Sequence, residues 1–168
     1  SKLDQRGEDR SQGNVEDSSA TTMRAPNDLG YASATLRDKN YEVKLKDYQS
    51  ENLKFSDLKT DFETFKPDVI FVSITNATIY DDLLIIDELL GGNTKTTVII
   101  KGALFFNPDD AMLKLLPLKN VDYLVGGESD FMLAELIETH FEKQENLKNI
   151  RGISFKKNGE WIKTDFST

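Results

Sequence analysis

Apolar residues dominate three short runs, at 68–73, 97–100 and 121–125, and each run is bounded by polar or turn-forming residues. Continuous apolar runs of this length are typical of parallel strands that are buried on both faces of a sheet. Residues 41–45 instead alternate between apolar and polar side chains. This period of two predicts a further, half-buried strand.

Helical patterns separate these runs. Apolar spacing, capping residues and helix stops such as Gly91 and Gly92 predict helices at 27–36, 51–65, 81–90, 109–116 and 129–141. Strands that alternate with helices favour a doubly wound α/β fold of the flavodoxin-like or Rossmann-like kind. We therefore expect three layers, with a mostly parallel sheet between two layers of helices.

The two ends of the chain depart from this alternation. Strand-like segments at 150–155 and 161–164 flank Asn158 and Gly159, and an Asn-Gly pair in this position predicts a C-terminal β-hairpin. Residues 1–24 are polar, which predicts an arm with at most a short strand at 21–23. The expected organisation is a polar arm at 1–24 followed by one domain at 25–168.

Composition excludes several classes of function. The net charge of −8 and the scattered Lys and Arg residues argue against a nucleic-acid partner. No apolar run is long enough to cross a membrane and no signal segment opens the sequence, so a cytoplasmic location is expected. The absence of cysteine removes disulfides, thiolate nucleophiles and iron–sulfur ligation from this chain.

Candidate catalytic groups are few. His140 is the single histidine, which excludes a multi-histidine metal site, and its charged neighbours predict a solvated surface position. The aspartate pairs at 81–82 and 109–110 stand at predicted helix starts, where the helix dipole favours acidic residues. The sequence shows no nucleophile–histidine pair, so no catalytic residue and no metal ligand is assigned. The chain alone is therefore not expected to be catalytic.

Small and polar residues follow the three apolar strands, and they are the candidate site. The first strand ends in Ser73, Thr75 and Asn76, the second in Lys101, Gly102 and Ala103, and the third in Gly126, Gly127 and Glu128. In parallel sheets these ends share one edge, where α/β proteins bind ligands. Glycine at such a turn can equally serve the turn alone. The adjacent aromatic residues Phe105 and Phe106 could cover a ligand or pack in the core.

Several stretches resemble one family. They are LGYASATLRDKNYEV at 29–43, KPDVIFVSIT at 66–75, VDYLVGGESD at 121–130 and the hairpin that begins RGISF at 151. In this order they are similar to the cobalamin-binding-type domain at the front of many radical S-adenosylmethionine enzymes. The resemblance covers about residues 26–164. It implies cobalamin as cofactor and a radical catalytic domain, C-terminal in the parent chain, as partner.

The resemblance also implies roles for single residues. Ser73 and Thr75 match the motif that contacts the nucleotide tail of cobalamin, Gly102 matches the second residue of a Gly-Gly pair beside that tail, and Gly127 with Glu128 matches a Gly-Glu pair. Lys101 stands where the family has the first glycine, and a lysine there could fill the tail cavity or pair with the phosphate of the tail. S-adenosylmethionine and a 4Fe-4S cluster would belong to a missing domain, in a parent enzyme such as a methyltransferase.

Two further departures from the family are present. The family's Asp-x-His-x-x-Gly motif is absent, so a bound cobalamin would have no histidine lower ligand from this chain. The family's first strand has no clear counterpart in residues 1–24. The missing first strand and Lys101 favour an alternative, which is a domain of the same fold without a cofactor that acts in domain docking or dimerisation. An unpaired inner strand would then favour a homodimer.

Overall fold

A mixed sheet of five strands forms the centre of the molecule in the computed structural model, which describes residues 27–48, 51–127, 131–142 and 144–166. The strands lie side by side in chain order: β1 (Val69–Ser73), β2 (Thr97–Lys101), β3 (Tyr123–Val125), β4 (Ile153–Lys157) and β5 (Glu160–Lys163). β1, β2 and β3 are parallel, whereas β4 and β5 are antiparallel to their neighbours. The α/β class is confirmed, with a sheet that is mixed instead of mostly parallel.

Helices cover both faces of this sheet. They are α1 (Asn27–Asp38), α2 (Phe55–Phe65), α3 (Ile79–Leu90), α4 (Asp110–Leu115) and α5 (Met132–Glu142), and two 3₁₀ helices span Ala103–Phe105 and Gln144–Asn149. α1 and α5 pack on one face in a core with Ile99, Tyr123 and Val125. α3 and α4 pack on the other face in a core with Val98, Ile100 and Leu124. The alternation of these strand residues follows from the pleat of the strands.

Turn and cap residues act as the sequence predicts. Gly91 ends α3 with φ +53°, and Asp109 caps α4 by accepting hydrogen bonds from the backbone N–H groups of Ala111 and Met112. Asn158 and Gly159 both have positive φ, at 53° and 83°. Two consecutive positive φ values match the twist of a tight hairpin, so the predicted β4–β5 hairpin is confirmed.

The strand predicted at 41–45 is wrong. This segment has no partner in the described sheet, and alternation alone cannot make a strand, because a strand needs a neighbour for its backbone groups. Side chains hold the segment instead. The carboxylate of Asp61 on α2 accepts hydrogen bonds from Lys44, Lys46 and the hydroxyl of Tyr48. These bonds hold the pKa of Asp61 well below its usual range.

Some expectations fall outside the described residues. They are the polar arm at 1–24, the short strand at 21–23 and the first two residues of the helix predicted at 129–141. Within the described ranges, every helix is too short or too polar to cross a membrane.

Candidate functional site

The ends of β1, β2 and β3 form one row, which we call the carboxyl edge. Ser73 lies opposite Lys101, and Lys101 lies opposite Val125. Backbone hydrogen bonds continue one residue further, from the N–H of Ile74 to the carbonyl of Lys101 and from the N–H of Gly102 to the carbonyl of Val125. The three groups of small and polar residues therefore leave the sheet side by side. Glu128 is outside the described residues.

The loop after β1 is held by a chain of hydroxyl groups. The hydroxyls of Thr75 and Thr78 are 3.0 Å apart, and Thr78 donates to the buried carboxylate of Asp82 on α3. Ile74 turns into the core, while Asn76 is exposed. The hydrogen bond to Asp82 therefore anchors the loop on α3. The loop presents the amide of Asn76 and part of Thr75 at the surface.

Lys101 lies at the centre of the carboxyl edge. Its ammonium group is 3.1 Å from Oδ2 of Asp28, and only 18% of the lysine side chain is exposed. The other oxygen of Asp28, Oδ1, accepts a hydrogen bond from the N–H of Leu29 in the first turn of α1. The lysine is therefore directed to the start of α1 by a carboxylate that is itself half-exposed. This contact also shows that α1 begins at the carboxyl edge.

Three glycines in this region have different surroundings. A Cβ atom added at Gly126 would lie 2.4 Å from the backbone of Phe105 and Phe106, so this glycine is required by the fold. A Cβ atom at Gly102 would lie 3.2 Å from the carbonyl oxygen of Ile74. At Gly127 it would meet no atom of the described residues within 4 Å. Open space therefore lies beside Gly127, whereas Gly102 is already in contact with Ile74 and Phe105.

Exposed aromatic side chains surround the carboxyl edge. Three of them stand near the start of a helix that begins at this edge: Tyr31 on α1, Tyr80 on α3 and Phe131 just before α5. The fourth, Phe106, directly follows the 3₁₀ helix after β2. Their exposed fractions run from 53% to 82%. We call this group the aromatic rim. The sequence singled out only Phe105 and Phe106, and the structure divides that pair, because Phe105 is fully buried.

The C-terminal segment returns to the same edge. After β5 the carbonyl of Asp165 accepts a hydrogen bond from the N–H of Gly152, and the ring of Phe166 packs edge-on against Phe106 at 5.9 Å. The last described residue, Phe166, therefore contacts the aromatic rim.

His140 is half-buried and hydrogen-bonded to two other elements of the fold, which corrects the predicted solvated surface position. Its Nε2 lies 3.1 Å from the hydroxyl of Thr97 and its Nδ1 lies 2.6 Å from the hydroxyl of Tyr123. Thr97 is the first residue of β2, so His140 lies at the opposite end of the strand from Lys101. Burial lowers the pKa of His140 and raises the pKa of Tyr123 to about 12. Helical spacing from Leu133 and Ile137 was the signal that could have placed His140 inward.

We expect stability to decline in mild acid through His140. Its folded-state pKa lies below the unfolded value of 6.5, so the unfolded chain binds the proton more readily. The contribution of His140 is complete above pH 6.5 and is lost as the pH falls through the folded-state value. Urea unfolding of the wild type and of His140→Gln, from about pH 7.5 to about pH 5, checks this. The free energy of unfolding of the wild type should approach that of the variant as the pH falls. A difference in free energy that stays constant with pH would contradict the lowered pKa of His140.

The described ranges contain no group of three or more His, Asp or Glu side chains that could hold a metal ion.

Known proteins resemble this chain at the level of fold. No protein-family model matches it. The chain is 29% identical over 140 residues to a protein named uncharacterized methyltransferase PH0819 from Pyrococcus horikoshii, and the match covers 83% of this chain and 29% of that protein.

Solved structures with a similar fold include two enzymes. One is the radical S-adenosylmethionine methyltransferase TsrM from Kitasatospora setae, with a TM-score of 0.60, 19% identity and coverage of 86% of this chain and 28% of that chain. The other is the cobalamin-dependent S-adenosylmethionine radical enzyme OxsB with aqua-cobalamin and S-adenosylmethionine bound, with a TM-score of 0.64, 22% identity and coverage of 84% and 20%. This chain has a Rossmann-like α/β fold. It spans less than a third of the length of each of these proteins.

Proposed function

We propose that this chain is the cobalamin-binding module of a radical S-adenosylmethionine enzyme and binds the cofactor at its carboxyl edge. The observation that carries the proposal is the meeting of Ser73, Lys101 and the open space at Gly127 on one edge of this fold. The similarity to a cobalamin-dependent radical enzyme with aqua-cobalamin bound supports it. Methyl transfer by the parent enzyme is supported by the names of two relatives.

The described residues fit the chemistry of the cofactor in two respects. Cobalamin has a large, mostly apolar ring with amide side chains, and the aromatic rim with exposed Ala103 and open Gly127 offers a surface for such a ring. Its nucleotide tail carries a phosphate, for which Lys101 offers a positive charge. Beneath Gly102 the space is filled by Ile74 and Phe105, so the tail would lie beside Ser73 and Thr75 and not below Gly102.

The proposal assigns a separate role to each candidate residue of the carboxyl edge. Ser73, Thr75 and Asn76 would offer hydroxyl and amide groups to the tail and ring, and Lys101 would leave Asp28 to contact the phosphate. Gly126 keeps the loop after β2 close to β3, and Glu128 follows from the family resemblance alone. His140 lies at the other end of β2, so the described residues offer no histidine lower ligand. The cofactor itself would supply the methyl-carrying cobalt chemistry.

A radical S-adenosylmethionine domain that follows in the parent chain would be the partner. The C-terminal segment contacts the aromatic rim through Phe166, so a domain that follows it would begin beside the proposed cofactor. A ring held between two such surfaces is shielded from water, as reactive cofactor states require.

The alternative is a docking module of the same fold with no cofactor. The pairing of Lys101 with Asp28 and the filled space beneath Gly102 favour it. In that case the aromatic rim would bind the catalytic domain directly. The two functions differ in one measurable property, which is retention of the corrin.

Titration with hydroxocobalamin, followed by visible absorption and gel filtration, tests the proposal. Wild-type protein should retain the corrin, and Gly127→Trp should raise the Kd by more than about tenfold because it fills open space without a fold contact. Thr64→Trp, on the exposed last turn of α2, is the control and should bind as the wild type does. Lys101→Ala should weaken cobalamin more than cobinamide, which lacks the nucleotide tail.

The outcomes separate the two functions. Retention by the full gene product but not by this chain would indicate a site that needs further residues. Loss of the corrin by both would leave the docking module as the function. Equal binding by wild type and Gly127→Trp would remove the carboxyl edge as the site.

A further inference from the structure

Three polar side chains beyond the end of β1 are joined by hydrogen bonds, and we call them the hydroxyl chain. The hydroxyl of Thr78 donates to Oδ2 of Asp82 at 2.7 Å, and the hydroxyl oxygens of Thr75 and Thr78 lie 3.0 Å apart. Asp82 is only 6% exposed, whereas the two threonines are half-buried. The hydroxyl chain therefore leads from a buried carboxylate on α3 to the surface of the carboxyl edge.

The buried carboxylate fixes the position of each proton in the hydroxyl chain. A carboxylate only accepts hydrogen bonds, and a threonine hydroxyl has a single proton to donate. Because Thr78 donates its proton to Asp82, the oxygen of Thr78 can only accept a proton from Thr75. The proton of Thr75 therefore points inward. The oxygen of Thr75 has only lone pairs left for a ligand at the surface.

Thr78 is diverted from the role that its position would normally give it. It is the N-cap residue of α3, where a threonine oxygen commonly accepts a hydrogen bond from a backbone N–H of the first turn. Among the described residues its side chain makes no such bond. Its hydroxyl instead bridges Thr75 and Asp82, and its backbone N–H bonds to the carbonyl of Thr75 at 3.3 Å. The turn thus holds the two threonines together.

We propose that Asp82, acting through Thr78, makes Thr75 a fixed hydrogen-bond acceptor that selects an amide N–H group of the ligand. In this scheme Asp82 and Thr78 are positioning residues, and Thr75 determines specificity. An amide –NH₂ group at this position would donate to the lone pairs of Thr75. A phosphate or carboxylate oxygen would face the same lone pairs without a proton between them and would be disfavoured.

The identity of the ligand group rests on the proposed function. Cobalamin carries amide groups around its ring and a phosphate in its tail, so a site for it must separate donors from acceptors. The ammonium group of Lys101 only donates and suits the phosphate, whereas Thr75 only accepts and suits an amide. The hydroxyl chain therefore assigns Thr75 to a ring amide and leaves the phosphate to Lys101.

Neutron diffraction from deuterated crystals of the wild-type chain tests the proton order without any ligand. The deuteron on Oγ1 of Thr75 should lie on the line to Thr78, and the deuteron on Oγ1 of Thr78 should lie on the line to Asp82. A deuteron on Thr75 that points away from Thr78 would overturn the proposal, whether or not the chain binds a corrin.

A change in ligand preference tests the role of Asp82. The Kd of cobalamin is compared with those of monocarboxylic acid derivatives, each of which has one ring amide replaced by a carboxylate. For the derivative altered at the amide that contacts Thr75, wild-type affinity should be at least about tenfold lower than for cobalamin. Asp82→Asn should reduce or reverse this difference, because an asparagine amide can donate to Thr78 and allow the proton of Thr75 to turn outward. Asp81→Asn alters the exposed neighbouring carboxylate, is the matched control and should keep the wild-type preference.

A second variant covers the case in which Asp82→Asn does not fold, which thermal unfolding shows. Thr78→Val breaks the hydroxyl chain and frees the proton of Thr75, so the preference for the amide should fall to about threefold or less.

Several results would overturn the proposal. A purely structural role of Asp82 would weaken cobalamin and its derivatives by the same factor and leave the preference unchanged in Asp82→Asn. Equal affinity of the wild type for cobalamin and for every derivative would remove Thr75 as the acceptor. Failure of the wild type to bind any corrin would remove the proposed function and the ligand assignment with it, while the neutron map would still decide the proton order.

Discussion

Phe105→Ala lowers the free energy of unfolding by about 3–5 kcal/mol. The ring of Phe105 has no exposed surface and packs in the core formed with α3 and α4. Its removal leaves a cavity beside Gly102, whose backbone is held by a hydrogen bond from its N–H to the carbonyl of Val125. A loss of this size is a large share of the stability of an ordinary domain. Urea unfolding with an unchanged m value measures it.

Phe106→Ala is the matched control for this substitution. Phe106 is the next residue, has the same side chain and is 53% exposed, with Phe166 as its aromatic contact. Its loss should change the free energy of unfolding by less than about 1 kcal/mol. Equal effects of the two substitutions would show that the buried position of Phe105 is wrong.

Gly126→Ala has the second-largest expected effect, a loss of about 1–3 kcal/mol or more. The added methyl group would lie 2.4 Å from the carbonyl group of Phe105 and from Cα of Phe106. These are backbone atoms of the loop after β2, so the loop must move away from β3 as a unit. Thermal and urea unfolding of the variant measure the loss.

Gly127→Ala provides the comparison. Its Cβ atom would meet none of the residues that the structure describes within 4 Å, and its backbone does not require positive φ. The free energy of unfolding should therefore change by less than about 0.5 kcal/mol. If Gly126→Ala were as mild as Gly127→Ala, the close approach of the two loops would be refuted. If Gly127→Ala were as severe, the space proposed for the corrin would not exist.

Residue patterns alone determined most elements of the fold. The apolar segments identified β1, β2 and β3, because strands whose two faces both pack against helices are mostly apolar. Asn158 with Gly159 identified the hairpin, and Asp109 and Gly91 identified a helix start and a helix end. These features depend on near neighbours in the chain, so local propensity was sufficient to find them.

The segment at 41–45 shows where such local information ends. Its alternation is strand-like, yet hydrogen bonding in a sheet requires a neighbouring strand, and no pattern within the segment states whether one is present. His140 shows the same limit for burial. Charged residues beside it in the chain suggested solvent, whereas Thr97 and Tyr123 come to it from distant positions.

For the candidate site, the sequence by itself determined which residues end the three parallel strands, because strand ends follow from strand limits. Only the tertiary structure decided what those residues do. It assigned Gly126 to a backbone contact and left space at Gly127, it paired Lys101 with Asp28, and it grouped four exposed aromatic residues around the edge. Contacts between residues far apart in the chain depend on how helices and strands pack, and that information is not contained in any single stretch of sequence.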